Sequence, residues 1–410
     1  MKNFLNKSIF TINAENYLKF LIIIVPLLNF LPGFTFDLYT PSMPALAHYY
    51  ATSVAVIKNT VTATLIGFAI GGFINGILLD VFGRRRIILL GLVLYIVASI
   101  TAIFCHSIEQ LLIIRFMQGF LSASFVVGCR AIVIDTFKGH QFNVAMLYTS
   151  LAYGMGPVIG PFFGGILQHH LGWKANFIAY GVIGFLFLLL YAIFVDESLP
   201  ARHSFSLKRL LNSYKDLLTH RIFVAAICLV SCCQIQLMLY STVGAFIVQN
   251  LLHYTAIVYG NTALLIGFFY FIGTLTNRFL IKKFHVVHLS QMGLILLAVS
   301  LLVQMLLAEF GKFNLFNLVM PVMMICYSIG FIFPTLSIRC LKIFPQYAGV
   351  ATSILIAFGL AMTSIGMFLI SFIDINGLMR LASIYSVVLI LQLIIFYGFY
   401  SSKNHDEVLE

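Results

Sequence analysis

Charge is scarce in this sequence: only 9% of its 410 residues are Asp, Glu, Lys or Arg, against a hydrophobic share of 61% and a mean hydropathy of +1.03. A soluble surface takes about a quarter of its residues charged, so this scarcity excludes a water-soluble globule and places the chain in lipid. Alternating apolar and polar residues are also missing, which excludes a β-barrel and leaves helices to satisfy the backbone inside a bilayer. No nucleotide-binding loop, nucleophile elbow or His/carboxylate cluster occurs, and there is no soluble domain, so neither an enzyme nor a metal site or cofactor is expected. The seven cysteines (Cys105, Cys129, Cys228, Cys232, Cys233, Cys326 and Cys340) fall in or at the ends of apolar stretches, where no disulfide is expected. Cys228, Cys232 and Cys233 read as small residues at a helix contact rather than as metal ligands. The first apolar stretch lacks a small-residue cleavage site and is too long for a signal peptide, so it is expected to persist as helix 1.

What is present is a series of twelve apolar stretches, each near the ~20 residues a helix needs to cross a hydrocarbon core of ~30 Å. The expected spans are 17–42, 54–80, 87–105, 109–136, 142–167 and 175–195, then 222–248, 256–279, 287–308, 314–338, 349–372 and 378–400. The expected organisation is an N-terminal six-helix bundle (1–195), a central loop (196–221), a C-terminal six-helix bundle (222–400) and a tail (401–410). With a cytoplasmic N-terminus, eighteen basic residues fall on the cytoplasmic side and four (Lys58, Lys174, Lys312 and Arg380) opposite, with Arg115 and Arg130 inside helices. That bias puts both termini in the cytoplasm and makes the net charge of +11 a matter of topology rather than of nucleic acid. His169 and His170 are expected in a solvated periplasmic loop.

The halves look like a repeat. Gly76-Ile-Leu78-Leu-Asp80-Val-Phe-Gly83-Arg84-Arg85-Arg86 follows the second helix, and a worn copy, Gly273-Thr-Leu275-Thr-Asn277-Arg-Phe-Leu280-Ile-Lys282-Lys283, follows the eighth. Two parallel six-helix halves suit a rocker-type transporter. Gly76 to Arg86 also resembles the loop signature between helices 2 and 3 of major facilitator transporters. Asp37-Leu-Tyr39-Thr-Pro41-Ser-Met43-Pro44 is similar to helix 1 of the bicyclomycin-resistance (Bcr/CflA) branch of drug:proton antiporters, and Arg115-Phe-Met-Gln118-Gly119 through Arg130 to Asp135 resembles that branch's helix 4. Gly154-Met-Gly156-Pro157-Val-Ile-Gly160-Pro161-Phe-Phe-Gly164-Gly165 is similar to the helix-5 motif of the family's antiporters, and Phe344 to Ser353 also fits. The resemblance implies an all-α integral membrane protein of twelve helices in the bacterial inner membrane. It further implies a monomer that exports small compounds against protons by alternating access, with no cofactor beyond the proton.

The residues can be read beside that resemblance. Asp37 is the one acid expected well inside a helix, and Arg115 on helix 4 lies at a similar depth, so the two can meet. Low dielectric favours the protonated acid and brings proton exchange toward the working pH. An intramembrane acid is a functional hypothesis by default, although a static ion pair between helices 1 and 4 would use the same residues. Arg115, Gln118, Gly119, Ser122, Val126 and Cys129 share one face of helix 4. Phe30, Gly33, Phe34 and Asp37 share one side of helix 1, where aromatic walls beside a carboxylate suit lipophilic cations or serve plain packing. Gly76, Asp80, Gly83, Arg84, Arg85 and Asp135 read as a conformational latch mixed with positive-inside anchoring. The Gly/Pro run of helix 5 reads by spacing alone as a closely packed, kinked helix. Gln234, Gln236, Tyr240, Ser241, Thr242, Asn261, Tyr327 and Ser328 are the polar candidates of the second half, for a cavity or for interhelical bonds. Phe36, Phe120 and Phe125 are bulkier than the family pattern and would narrow a cavity. The expectation is a proton-coupled exporter of small, largely apolar or cationic compounds; export of a metabolite such as a siderophore or amino acid, or proton-symport uptake, remains open.

Overall fold

A computed structural model of the chain describes residues 14–199, 217–281, 283–284, 286–342 and 348–400. The described residues are helical almost throughout and include no strand. The first expected span is divided into α1 (Ala14–Leu27), α2 (Phe30–Asp37), a 3-10 turn (Thr40–Ser42) and α3 (Met43–Tyr49). There follow α4 (Val54–Phe82), α5 (Arg84–Ala102), α6 (Ile108–Thr136), α7 (Gly139–Leu171) and α8 (Trp173–Phe194). Beyond the 200–216 segment come α9 (Arg221–Phe246), α10 (Ala256–Leu280), α11 (Val286–Phe310), α12 (Leu315–Lys342), α13 (Ala348–Ser371) and α14 (Leu378–Ile395). Among the described residues eleven spans are long and apolar enough to cross a membrane, and Ala357–Ser371 adds a shorter apolar stretch. The outer faces agree: Ile113, Leu302 and Ile390 are each more than half exposed (59%, 58% and 56%), a surface that would aggregate in water and is at home in lipid.

The division of the first span corrects the expectation of one helix over 17–42. Pro26 sits in α1, Pro32 in α2 and Pro41 in the 3-10 turn, and none of them has an N–H to donate. The freed polar groups find local partners. Asn29 and Leu31 donate backbone N–H to Pro26 O and Leu28 O, the Asn29 amide donates to Thr149 O at 3.3 Å, and Thr40 Oγ1 donates to Asp37 O at 2.8 Å. Irregular backbone at membrane depth persists only where protein or a water-filled cavity takes up its hydrogen bonds. Elsewhere the helices end on ordinary signals. Gly83 (φ +105°) and Gly172 (φ +80°) turn the chain between α4 and α5 and between α7 and α8 through a region that favours glycine. Ser107 and Thr255 cap α6 and α10 by accepting the N–H of Gln110 and Val258. Because α7 runs on to Leu171, His169 and His170 lie in its last turn rather than in a loop, exposed and edge to face.

The chain groups into two compact units, one within 1–52 and 63–205, the other within 53–62 and 206–410. Each unit packs its helices through the same contacts. In the first, a Cβ on Gly67 or Gly71 would collide with the carbonyls of Phe116 and Phe120, and one on Gly119 with the carbonyl of Thr64. In the second, Gly273 meets the carbonyl of Tyr327, Gly330 meets that of Tyr270, and Asn277 donates to the carbonyl of Phe331. The pairs α4–α6 and α10–α12 are therefore built alike, with glycine letting backbones approach. The correspondence sets Gly273 beside Gly67, nine residues before the Gly76 that the loop motif aligns with it. Packing equivalence follows the glycine contacts, whereas the worn loop copy follows charge at the helix ends. Lys282 of that copy lies outside the described residues.

Candidate functional site

The broken first span positions the site of the first unit. Asp37 ends α2 and is 6% exposed, the single carboxylate among the buried side chains of the described residues. Arg115 of α6 is fully enclosed and reaches the same segment: its guanidinium donates to Thr35 O at 2.7 Å and to Gln118 Oε1 at 2.8 Å. It lies 4.0 Å from the centre of the Tyr39 ring and 5.9 Å from that of Tyr180. A cation held against the carbonyl end of a helix and against aromatic faces is favourable on both counts. Tyr180 Oη donates toward the carbonyls of Phe34 and Thr35, Thr35 Oγ1 shares a 2.7 Å bond with Tyr95 Oη, and Gln118 Nε2 donates to Ser99 Oγ at 2.9 Å. The structure thus brings Arg115 to the Thr35–Tyr39 segment that carries Asp37.

The remaining candidates fall in two groups. Gln118 and Ser122 are enclosed and bonded within the bundle, Ser122 to its own helix at Gly119 O, and Cys129 of the same face donates to Val25 O at 3.1 Å. Phe34 is nearly enclosed and Phe30 partly exposed, their rings 5.1 Å apart. In the second unit Tyr240 is enclosed, bonded to Thr262 Oγ1 at 2.7 Å and stacked on Tyr259. Gln236 is wholly buried with neither amide atom bonded among the described residues. Gln234 Oε1 accepts from Thr363 at 3.0 Å, and Tyr327, partly exposed, reaches Thr276 at 3.4 Å. Along α7, Gly156 faces Gly33 and Gly164 faces the carbonyl of Leu38; Gly160 also touches the α2 end, while Gly154 borders open space. Pro157 packs against Gly33, and Pro161 is buried.

The latch candidates meet at the α4–α5 joint. Arg84 pairs with Asp80 and, at 3.3 Å, with Asp135, which also accepts from Ser198 Oγ at 3.2 Å. Arg85 donates to Ala192 O at 2.7 Å, and a Cβ on Gly76 would be in ordinary contact with Val127. Glu197 caps α5: its carboxylate accepts the backbone N–H groups of Arg84 at 2.8 Å and Arg85 at 3.2 Å. Residue 197 falls in the stretch expected as the central loop, and the cap comes from there, while Asp80 pairs with a basic residue, Arg84. An acid placed directly after a long apolar span was the available signal. A side chain at Gly83 would lie 2.5 Å from Glu197 Oε2, so the turn is glycine for conformation and for clearance alike. Replacing Glu197 by Ala removes a charged cap and is expected to destabilise the purified protein by about 1–2 kcal/mol, with Gln recovering part of it. A fluorescence-monitored melt of the three proteins checks this; equal melting temperatures would mean the cap contributes nothing.

Comparison with known proteins now places this architecture. The model of the Major Facilitator Superfamily matches residues 27–367. An uncharacterized transporter of Rickettsia felis is 29% identical over 63% of this chain and 64% of its own length. A bicyclomycin resistance protein homolog of Haemophilus influenzae is 28% identical over 45% of this chain and 47% of its own, and the multidrug transporter MdfA of Escherichia coli 29% identical over 46% of each. The chain therefore spans less than two thirds of the length of these curated relatives. Among solved structures, a D-xylose-proton symporter superposes with a TM-score of 0.76 at 16% identity, covering 93% of this chain and 97% of that one. At that identity the likeness is one of fold. With the family model covering most of the sequence, the chain belongs to the Major Facilitator Superfamily and is a multi-pass membrane protein.

Proposed function

We propose that this chain is a proton-driven exporter of small, largely apolar or cationic compounds, working by alternating access in a bacterial inner membrane with both termini cytoplasmic. Asp37 is the exchange site and Arg115 the cation that sets its surroundings. The observation that carries the reading is the single buried carboxylate among the described residues, at a break in the first span, on a segment whose Thr35 carbonyl is held by an enclosed arginine. A carboxylate in such a place either holds a proton or faces a substrate, and competition between the two is the simplest antiport device. The names of the bicyclomycin-resistance and multidrug relatives support the substrate class. One charge moving through 100 mV contributes ~2.3 kcal/mol, so a proton returning in exchange for a neutral compound can drive more than tenfold accumulation, while exchange for a monovalent cation draws on the pH gradient alone. Inverted vesicles energised to an acidic interior provide the test, with a fluorescent pH-gradient probe. Adding chloramphenicol or tetraphenylphosphonium is expected to release protons from vesicles that carry this chain and from no others. A gradient untouched by either compound, while both are transported, would rule out antiport.

A further inference from the structure

Arg130 of α6 is a second cation inside the first unit, and its surroundings differ from those of Arg115. Six residues of α6 follow it, so its Cα lies about 9 Å from the helix end. No hydrogen bond or ion pair joins it to any described residue, and its Nε is enclosed without a partner. The residue as a whole is partly exposed. Cys129 precedes it in the chain, and the Tyr153 phenol of α7 lies within electrostatic range of it. The backbone beside it is pinned, because Cys129 Sγ and Tyr191 Oη both donate to Val25 O, at 3.1 and 2.8 Å. One turn along from Val25, Asn29 donates to Thr149 O, one turn before Tyr153, and its own amide oxygen is enclosed without a partner.

An arginine at membrane depth is costly and is ordinarily matched by a carboxylate or by backbone carbonyls. Both have an enclosed Nε without a partner, but the terminal nitrogens of Arg115 have a carbonyl, an amide and aromatic rings, whereas those of Arg130 are received by no described residue. Unmet donors held rigidly are what a binding site presents before its ligand arrives. We propose that Arg130, with Tyr153 beside it, is a substrate-binding residue that takes a hydrogen-bond acceptor, such as a nitro, carbonyl or carboxylate oxygen, on an otherwise apolar compound.

This rests on the export reading and narrows its substrates toward neutral or zwitterionic compounds that carry an acceptor. Plain lipophilic cations would gain nothing from Arg130. The distinguishing pair of probes is chloramphenicol, neutral with nitro and amide oxygens, and tetraphenylphosphonium, a cation without an acceptor. Binding of each to the purified chain in detergent is measured for the native protein, Arg130→Leu and Arg130→Lys. A hydrogen bond to a charged group accounts for roughly ten- to hundredfold in affinity. Arg130→Leu is therefore expected to weaken chloramphenicol binding about tenfold or more and to leave tetraphenylphosphonium unchanged or tighter. Arg130→Lys, which keeps the charge and loses the planar fork, should fall between, and it serves alone if the leucine variant does not fold. Equal loss of both probes in a variant that melts like the native chain overturns the proposal, as does no loss of either. A native chain that binds tetraphenylphosphonium and not chloramphenicol overturns it while leaving the export reading intact. Binding of neither probe removes both readings.

Discussion

Replacing Asp37 by Asn is expected to abolish proton release on ligand binding while leaving the protein folded. Asparagine has the same shape, cannot ionise, and keeps an oxygen for whatever donor the carboxylate meets. In the native chain a compound that arrives when Asp37 is protonated displaces the proton into the medium, and the yield is up to one proton per compound bound. In the variant no proton is present to displace, so the signal vanishes at every pH. Neutral compounds should still bind the variant, because the enclosed Arg115 keeps its bonds to Thr35 O and Gln118 and its place over Tyr39. Cationic compounds should bind more weakly, by the loss of one opposite charge in a low-dielectric site. The measurement is the pH of a weakly buffered solution of purified protein on addition of chloramphenicol or tetraphenylphosphonium. An equal proton yield from native and variant chains would remove Asp37 from the exchange and send the search to another group.

How far the sequence could take this site is clear from particular residues. Hydropathy alone located the spans, because lipid demands the same apolar run wherever a helix crosses. It did not show the divided first span, although Pro26, Pro32 and Pro41 were in view. A hydropathy window sums composition, and a broken helix of apolar residues reads like a whole one. The common placement of Arg115 and the Asp37 segment followed from counting turns along two helices. The aromatic surroundings did not, since Tyr39 and Tyr180 face the guanidinium and Tyr95 bonds Thr35 beside it, from three different elements. Gln118 and Ser122 shared a polar stripe that could face a cavity or a neighbour, and periodicity has no means of choosing between them. The structure encloses both, with Gln118 spending its amide on Arg115 and Ser99. Glu197 was hidden by the habit of treating a polar stretch after a span as connection. Arg130 stood in the sequence as one of two arginines inside helices, but its lack of partners is a property of packing.

The second large effect is expected on α7, where the glycines look alike in sequence and differ in what surrounds them. A Cβ on Gly156 would lie 2.5 Å from the Cα and carbonyl carbon of Gly33, and one on Gly164 would overlap the carbonyl of Leu38. Both neighbours are backbone, which cannot swing aside, so α2 and α7 would have to separate. Overpacking of this kind costs about 1–3 kcal/mol or more, and here it would also shift the segment that carries Asp37. Gly154, two residues from Gly156, meets nothing within 4 Å. Alanine there replaces a flexible residue inside a helix and should stabilise by up to about 1 kcal/mol. Gly156→Ala and Gly164→Ala are thus expected to melt well below the native chain and Gly154→Ala at or slightly above it, by a fluorescence-monitored melt in detergent. The contrast also separates two accounts of the glycine-proline run. If close packing is its whole purpose, Gly154→Ala transports normally and keeps its proton exchange. If Gly154→Ala is stable, binds its compounds and yet leaks protons across vesicles, the run has a part in sealing the pathway beyond the packing of α2 on α7, and Gly154 is where that part resides.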